Sequence, residues 1–296
     1  MLPVSAFLPA DPIWVLLAGL LGLLVGSFLN VVVHRLPQMM EAQWDAECSA
    51  HMAARAGQEP LAPPPAALTL SRPASRCPHC GHGIRWFENI PILSWLVLRG
   101  RCSQCHTSIG WRYPLVELTT GALFAWCIHH WGMGISGWMW CGFSAALLSL
   151  ALIDWDTTLL PDDLTLPLLW MGLLAAALGW SPIAPPDAVW GAAAGYLVLW
   201  SVYWAFKLAT GKEGMGYGDF KLLAALGAWF GWQGLVPILL MSSVIGAIVG
   251  IALKLRSSLR PGGYIPFGPF LAGAGFAAMF WSPTRLMDAI LHLLGA

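Results

Sequence analysis

Charge is what this chain has least of. Lys and Arg number 15 and Asp and Glu another 15, together 10% of 296 residues, where an ordinary soluble chain carries about a quarter. That deficit argues against a soluble protein, and a net charge of zero offers no basic field for nucleic acid. The first apolar run, after Asp11 and Pro12, also lacks a basic n-region and an obvious small-residue cleavage site. It reads as an uncleaved anchor, not as a signal peptide. In place of charge the chain has 57% hydrophobic residues and 18 Trp, a composition suited to a protein with two membrane–water interfaces. Its solvent is a lipid bilayer.

A bilayer crossing needs roughly 20 mostly apolar residues. Such runs lie at 13–33, 114–131, 137–153, 164–180, 187–206, 219–231, 234–253 and 265–281, eight in all, the sixth short and interrupted by Gly227 and Gly231. Seven is the fallback count. With eight alternating crossings, 14 of the 15 Lys and Arg fall on one side and only Arg285 on the other. The positive-inside tendency makes that side cytosolic and both termini periplasmic. The expected fold is an all-α polytopic membrane protein of about eight transmembrane helices, with a cytosolic insert between the first and second. The chain then divides into a first transmembrane helix (1–33), the insert (34–113) and a transmembrane bundle (114–296).

The insert is the one sizeable polar segment. Its first half contains Ala53-Ala54-Arg55-Ala56-Gly57 and then Pro63-Pro64-Pro65, a pattern for a short helix and a proline-stiffened linker. Its second half, about 76–113, carries Cys77-Pro78-His79-Cys80 and Cys102-Ser103-Gln104-Cys105, two C-x-x-C knuckles separated by 21 residues. Two matched knuckles at this separation can wrap one tetrahedral Zn²⁺ with four thiolates. Redox pairs are the competing reading, which a cytosolic location disfavours. A closed four-thiolate shell leaves no open position, so the metal would be structural. His79, His82 and His106 stand nearby as surface or supporting residues, and Cys48, Cys127 and Cys141 have no partner by spacing.

The acids are placed more pointedly. An apolar helix runs into Ile153-Asp154-Trp155-Asp156, breaks at Pro161 and resumes after Asp162-Asp163, either of which could cap the next helix. A second acid closes Gly214-Met215-Gly216-Tyr217-Gly218-Asp219, where three glycines let the backbone bend before a helix begins. In the eight-crossing topology Asp154 and Asp219 lie on the same membrane face. A carboxylate at bilayer depth is costly and marks a functional hypothesis, and two that lie close share a proton, as an aspartic peptidase requires. Helix capping, or an ion path through a transporter that also uses Glu117, remains an alternative from the residues alone. So does a non-enzymatic assembly factor docked through the zinc module. Asp156 rivals Asp154, since two residues on one helix face roughly 200° apart.

Gly216-Tyr217-Gly218-Asp219 is a G-x-G-D motif, and the ordered series around it closely resembles the type IV prepilin peptidases. The resemblance runs from Gly26-Ser27-Phe28-Leu29-Asn30 through both knuckles and Asn89-Ile90-Pro91 with Leu98-Arg99-Gly100-Arg101. It continues through Arg112-Tyr113-Pro114 to Glu117 and Ile153-Asp154 with Leu160-Pro161-Asp162, and closes with Ile265-Pro266-Phe267-Gly268-Pro269. It implies an aspartic endopeptidase of the bacterial inner membrane with Asp154 and Asp219 as catalytic pair. Its partners would be type IV prepilins and type II secretion pseudopilins, cut after a glycine ahead of their apolar helix. The full insert implies the bifunctional form, which N-methylates the new N-terminus, usually Phe, with S-adenosylmethionine. No Gly-rich nucleotide-binding turn is present; Glu88, Asn89 and Gly100 are the candidates for that second site, and Glu117 is read as a structural partner of Arg112 or Lys221.

Overall fold

The computed structural model describes residues 11–56, 68–256 and 265–294. Their regular structure is helical: α1 (Pro12–Ala56), a 3₁₀ turn (Trp86–Asn89), α2 (Leu93–Val97), α3 (Arg112–Trp131), α4 (Ile135–Thr157), α5 (Asp162–Ala177), α6 (Pro185–Thr210), α7 (Tyr217–Leu255), α8 (Gly268–Trp281) and α9 (Pro283–Leu294). No strand occurs among the described residues, only isolated bridges. Four helices, α1, α4, α6 and α7, are long and apolar enough to cross a bilayer. The runs expected at 114–131, 164–180 and 265–281 are helices α3, α5 and α8, the last two of 16 and 14 residues. Those expected at 219–231 and 234–253 both fall in α7, whose backbone leaves helical geometry at Gly231 (φ 73°, ψ 172°). The glycine that cast doubt on the sixth run is where its two legs meet.

The chain divides into two compact units at His130/Trp131. In the first, α1 does not stop at residue 33. It continues through Pro37 to Ala56, 45 residues in one helix, because the Met, Glu, Gln and Ala that follow the apolar run are strong helix formers. The short helix expected near 53–57 is therefore the end of α1, and the Pro63–Pro65 run lies outside the described residues.

In the second unit, α6 and α7 pack tightly because small residues face each other. A Cβ built on Gly191 would strike the Gly227 carbonyl, and one on Gly195 would lie 2.6 Å from the Leu223 carbonyl oxygen. α8 packs against both α4 and α7 through its own small residues. A Cβ on Gly275 would sit 2.7 Å from Leu226 and 3.2 Å from Leu147. Small-residue contacts of this kind hold helices together where lipid supplies no hydrophobic drive. An aromatic knot fixes one end of the bundle: Trp140, Phe143, Trp229 and Phe230 meet with ring centroids 4.7–5.7 Å apart. The Trp229 indole N–H donates to the Leu168 carbonyl at 2.9 Å. Gly191→Val should lower stability by about 1–3 kcal/mol or prevent folding, by overpacking, whereas Gly273→Ala, whose added Cβ meets nothing within 4 Å, should leave the thermal midpoint of the detergent-solubilised protein unchanged.

Candidate active site and metal centre

α4 carries the aromatic knot near its start and Asp154 in its last turn; the first leg of α7 carries Asp219 in its first turn and ends at the same knot. The two helices thus run in opposite directions and present their acids at the far end. Asp154 and Asp219 are 4% and 7% exposed, and both adjoin Leu160, Asp154 through Gly268 and Asp219 through its neighbour Gly218. Asp156, two residues on, is exposed. The ~200° separation on the helix therefore turns Asp154 toward Asp219's side and Asp156 toward the surface.

A backbone donor holds the buried acid. The Gly268 N–H donates to Asp154 Oδ2 at 2.9 Å. A Cβ at Gly268 would lie 2.6 Å from that oxygen, so the residue must be glycine for the amide to come so near. Leu160 ties the parts together: a Cβ on Gly218 would be 2.6 Å from its Cβ, and one on Gly268 would be 3.2 Å from its Cδ1. The chain reaches Leu160 by a sharp turn at Thr158, whose φ of 57° and ψ of 28° are left-handed, a conformation that costs a β-branched residue about 1 kcal/mol or more. Asp162 and Asp163 occupy the first turn of α5 but cap nothing, the N-cap being Pro161. Asp162 instead pairs with Lys221 at 2.6 Å. In the first unit, Glu117 Oε2 accepts the Ile92 N–H at 2.7 Å.

Beside the acids lies an apolar groove of about 460 Å³ between α6 and the second leg of α7, lined by Val198, Val202, Leu239, Gly246, Ala247 and Phe270 among others. Met215, next to the G-x-G-D glycine, and Phe267, next to Gly268, also line it. Sequence reasoning singled out Ile265-Pro266-Phe267-Gly268-Pro269 as a motif without assigning it a role. It missed the groove, whose α6 wall is made of Val198, Leu199 and Val202.

In the first unit the four expected cysteines come together. Their sulfurs lie within 4.8 Å of one another, with Cys77 to Cys105 at 3.7 Å and Cys80 to Cys102 at 4.0 Å. A tetrahedron of thiolates with metal–sulfur bonds near 2.3 Å requires separations of about 3.8 Å. The cluster fits a divalent metal. The two knuckles are copies: the Gly81 N–H donates to the Cys77 carbonyl and the His106 N–H to the Cys102 carbonyl, while Cys77 and Cys102 donate to the carbonyls of His82 and Thr107. Gly81 and His106 occupy the same left-handed position (φ 72° and 56°). The Thr107 hydroxyl and amide hold Cys105 down to about 6. Cys80, although favoured as thiolate by the His82 amide, is pushed up to about 11 by burial and its neighbouring sulfurs.

Glu88, Asn89 and Gly100 belong to the frame of this module. Glu88 accepts the Arg85 N–H at 2.9 Å and meets His82 Nε2 at 3.2 Å. These contacts and the Ser103 side chain hold it down to about 2, the Arg85 amide most of all. It therefore braces one knuckle against the other. Asn89 ends the 3₁₀ turn, and Gly100, at φ 65°, lies under Trp95, 3.0 Å from the ring by its built Cβ. Because Glu88 is depressed in the folded state, its support is full above the ordinary carboxyl value near 4.5 and is lost as pH falls through about 2. Glu88→Gln should accordingly release metal to a chelator several-fold faster than wild type at pH 7, read by metal analysis over time; equal release rates would remove the bracing role.

The model of the bacterial peptidase A24 N-terminal domain matches residues 20–131, and that of the type IV leader peptidase family matches residues 141–251. The prepilin leader peptidase/N-methyltransferase of Stutzerimonas stutzeri is 52% identical over 282 residues, 95% of each chain. That of Pseudomonas aeruginosa is 52% identical over 281 residues, again 95% of each. The one from Aeromonas hydrophila is 54% identical over 275 residues, 90% of this chain and 91% of its own. No solved structure matches. Matched by these two models across both units and alike in sequence nearly from end to end, the chain belongs to the type IV leader peptidase family.

Proposed function

We infer that this protein is a membrane aspartic endopeptidase that removes the leader of type IV prepilins and related pseudopilins. It then N-methylates the exposed residue with S-adenosylmethionine. The observation that carries the peptidase reading is the pair of buried acids: Asp154 and Asp219, from separate helices, on either side of Leu160 at one end of the bundle. Relatives at 52% identity bear the name prepilin leader peptidase/N-methyltransferase.

In this reading one of the two acids is ionised and takes a proton from water as the water oxygen bonds to the scissile carbonyl carbon. The other, protonated, gives its proton to the carbonyl oxygen. Collapse of the tetrahedral intermediate breaks the C–N bond, and the proton passes to the leaving amine. The Gly268 amide fixes the plane of the Asp154 carboxyl throughout. Cleavage after a glycine, ahead of an apolar helix, places apolar residues next to the acids, where the groove offers a matching surface. The groove opens between membrane-spanning helices, as an occupant that is itself lipid-soluble requires.

The topology that goes with this function has eight crossings, with the acids and the insert of residues 34–113 on the cytosolic side of the inner membrane and both termini periplasmic. Residues 1–33 form its first crossing and 114–296 its peptidase bundle. Cys77, Cys80, Cys102 and Cys105 would hold Zn²⁺, which when bound cross-links the two knuckles. With four thiolates it has no open position for chemistry.

Co-expression with a prepilin tests the reading, mass spectrometry reporting leader loss and methylation together. Asp154→Asn and Asp219→Asn should each reduce cleavage about 10³-fold or more, and Asp156→Asn should cleave at near wild-type rate; processing by a folded Asp154→Asn or Asp219→Asn variant sinks the pair. Gly268→Ala should cost roughly 10²-fold by displacing Asp154. Ala247→Trp, which fills the groove, should raise KM for full-length prepilin about tenfold, a loss of roughly 1.4 kcal/mol, while sparing a peptide truncated soon after the cleavage site.

A further inference from the structure

The first unit has a ladder that measures depth in the membrane. α1 and α3 run antiparallel, with rungs four residues apart. A Cβ on Gly22 would lie 2.8 Å from Gly121 Cα, one on Gly26 would lie 2.7 Å from Glu117 Cα, and the Asn30 side-chain amide donates to the Tyr113 carbonyl at 3.2 Å. Gly22 and Gly26 belong to the apolar part of α1, a helix able to cross the bilayer.

The turn before α2 is fastened to this ladder. Ile92 adopts φ 60° and ψ −49°, a strained conformation for a β-branched side chain. Its N–H donates to the buried carboxyl of Glu117 at 2.7 Å, at the Gly26 rung. That rung is one helical turn further into the apolar stretch than the Asn30–Tyr113 rung. α2 therefore starts at the depth of residues in α1 and α3 that face outward as bare hydrocarbon, among them Phe28 and Leu118, which are exposed.

The two sides of α2 differ sharply. Trp95 turns toward the second knuckle, its indole N–H donating to the Ile109 carbonyl at 3.2 Å. Leu93, Leu96 and Val97, spaced to share the opposite face, are 60%, 57% and 79% exposed. The chain then emerges through Arg99 and Arg101, both exposed, and the next span opens with Trp111 and Tyr113, 71% and 50% exposed. Apolar residues at bilayer depth, bordered by arginine and by interfacial Trp and Tyr, form the sequence of layers found across a membrane boundary.

We propose that α2 lies in the bilayer, with Leu93, Leu96 and Val97 among the acyl chains and Arg99 and Arg101 at the phospholipid headgroups, so that the four-cysteine module sits on the membrane through its own lipid-binding face. The Glu117–Ile92 hydrogen bond sets the depth. The occupant of the face is phospholipid, and the inference stands apart from the peptidase reading.

The test places a photo-crosslinking benzophenone residue at Val97, separately at Leu93, and at exposed Gln104 as control, in the full chain reconstituted in vesicles of phosphatidylethanolamine and phosphatidylglycerol. Irradiation followed by mass spectrometry should show lipid adducts at 97 and 93 several-fold above those at 104, with metal content retained in every variant. Adducts no more frequent than at Gln104 in a metal-retaining variant overturn the proposal. So does crosslinking at these positions to protein, whether a second copy or a co-expressed prepilin, in place of lipid. If the substitution at one position releases the metal, the other decides.

Discussion

The hydrogen bond from the Gly268 amide to Asp154 Oδ2 is where the bundle and its chemistry meet. Asp154 lies in the last turn of a mostly apolar helix, and its orientation is fixed from elsewhere in the fold. It comes from the first residue of α8, and the place of α8 is set by close packing on α4 and α7 through Ala272, Ala274 and Gly275, none of them accessible. Leu160, wedged against both Gly218 and Gly268, carries that register on to the G-x-G-D turn. A change anywhere along this path reaches the carboxyl as a displacement, since packed interiors transmit strain more readily than they absorb it.

What could be read in advance follows from this arrangement. Residues whose chemistry is local were legible: four cysteines in two knuckles, and an acid after three flexible residues at a helix start. The helix formers past residue 33 are equally local, and they carry α1 beyond its apolar part to Ala56. Pairings across the chain were not legible. Lys221 meets Asp162 within the second unit, and within the first Glu117 takes a backbone amide from Ile92. A carboxylate announces that it needs a partner, but tertiary packing selects which donor arrives. The choice between Asp154 and Asp156, open on spacing alone, comes down to which side of α4 is covered.

The two knuckles of the insert repeat backbone as well as ligands: the same amide-to-carbonyl pairs, the same left-handed residue, the same antiparallel bridge at Arg76–Gly83 and Arg101–Ser108. Small metal modules have too little core to fold by hydrophobic burial, and here repetition lets one solution serve both halves. Where the halves differ, Gly81 corresponds to His106, and Glu88 spans between them.

The length of α1 has a consequence of another kind. From Glu41 to Ala56 nearly every residue is exposed, so this stretch gains little from tertiary packing. A free peptide of that length would be marginally helical in water, because the first turn is costly to form. Here the membrane-embedded turns upstream act as a permanent nucleus, and each further residue needs only the cheaper step of propagation. The bilayer thus templates ordered backbone well outside itself. That order should fade gradually toward the distal end, where turns open and close in independent local unfolding while the embedded part stays shut.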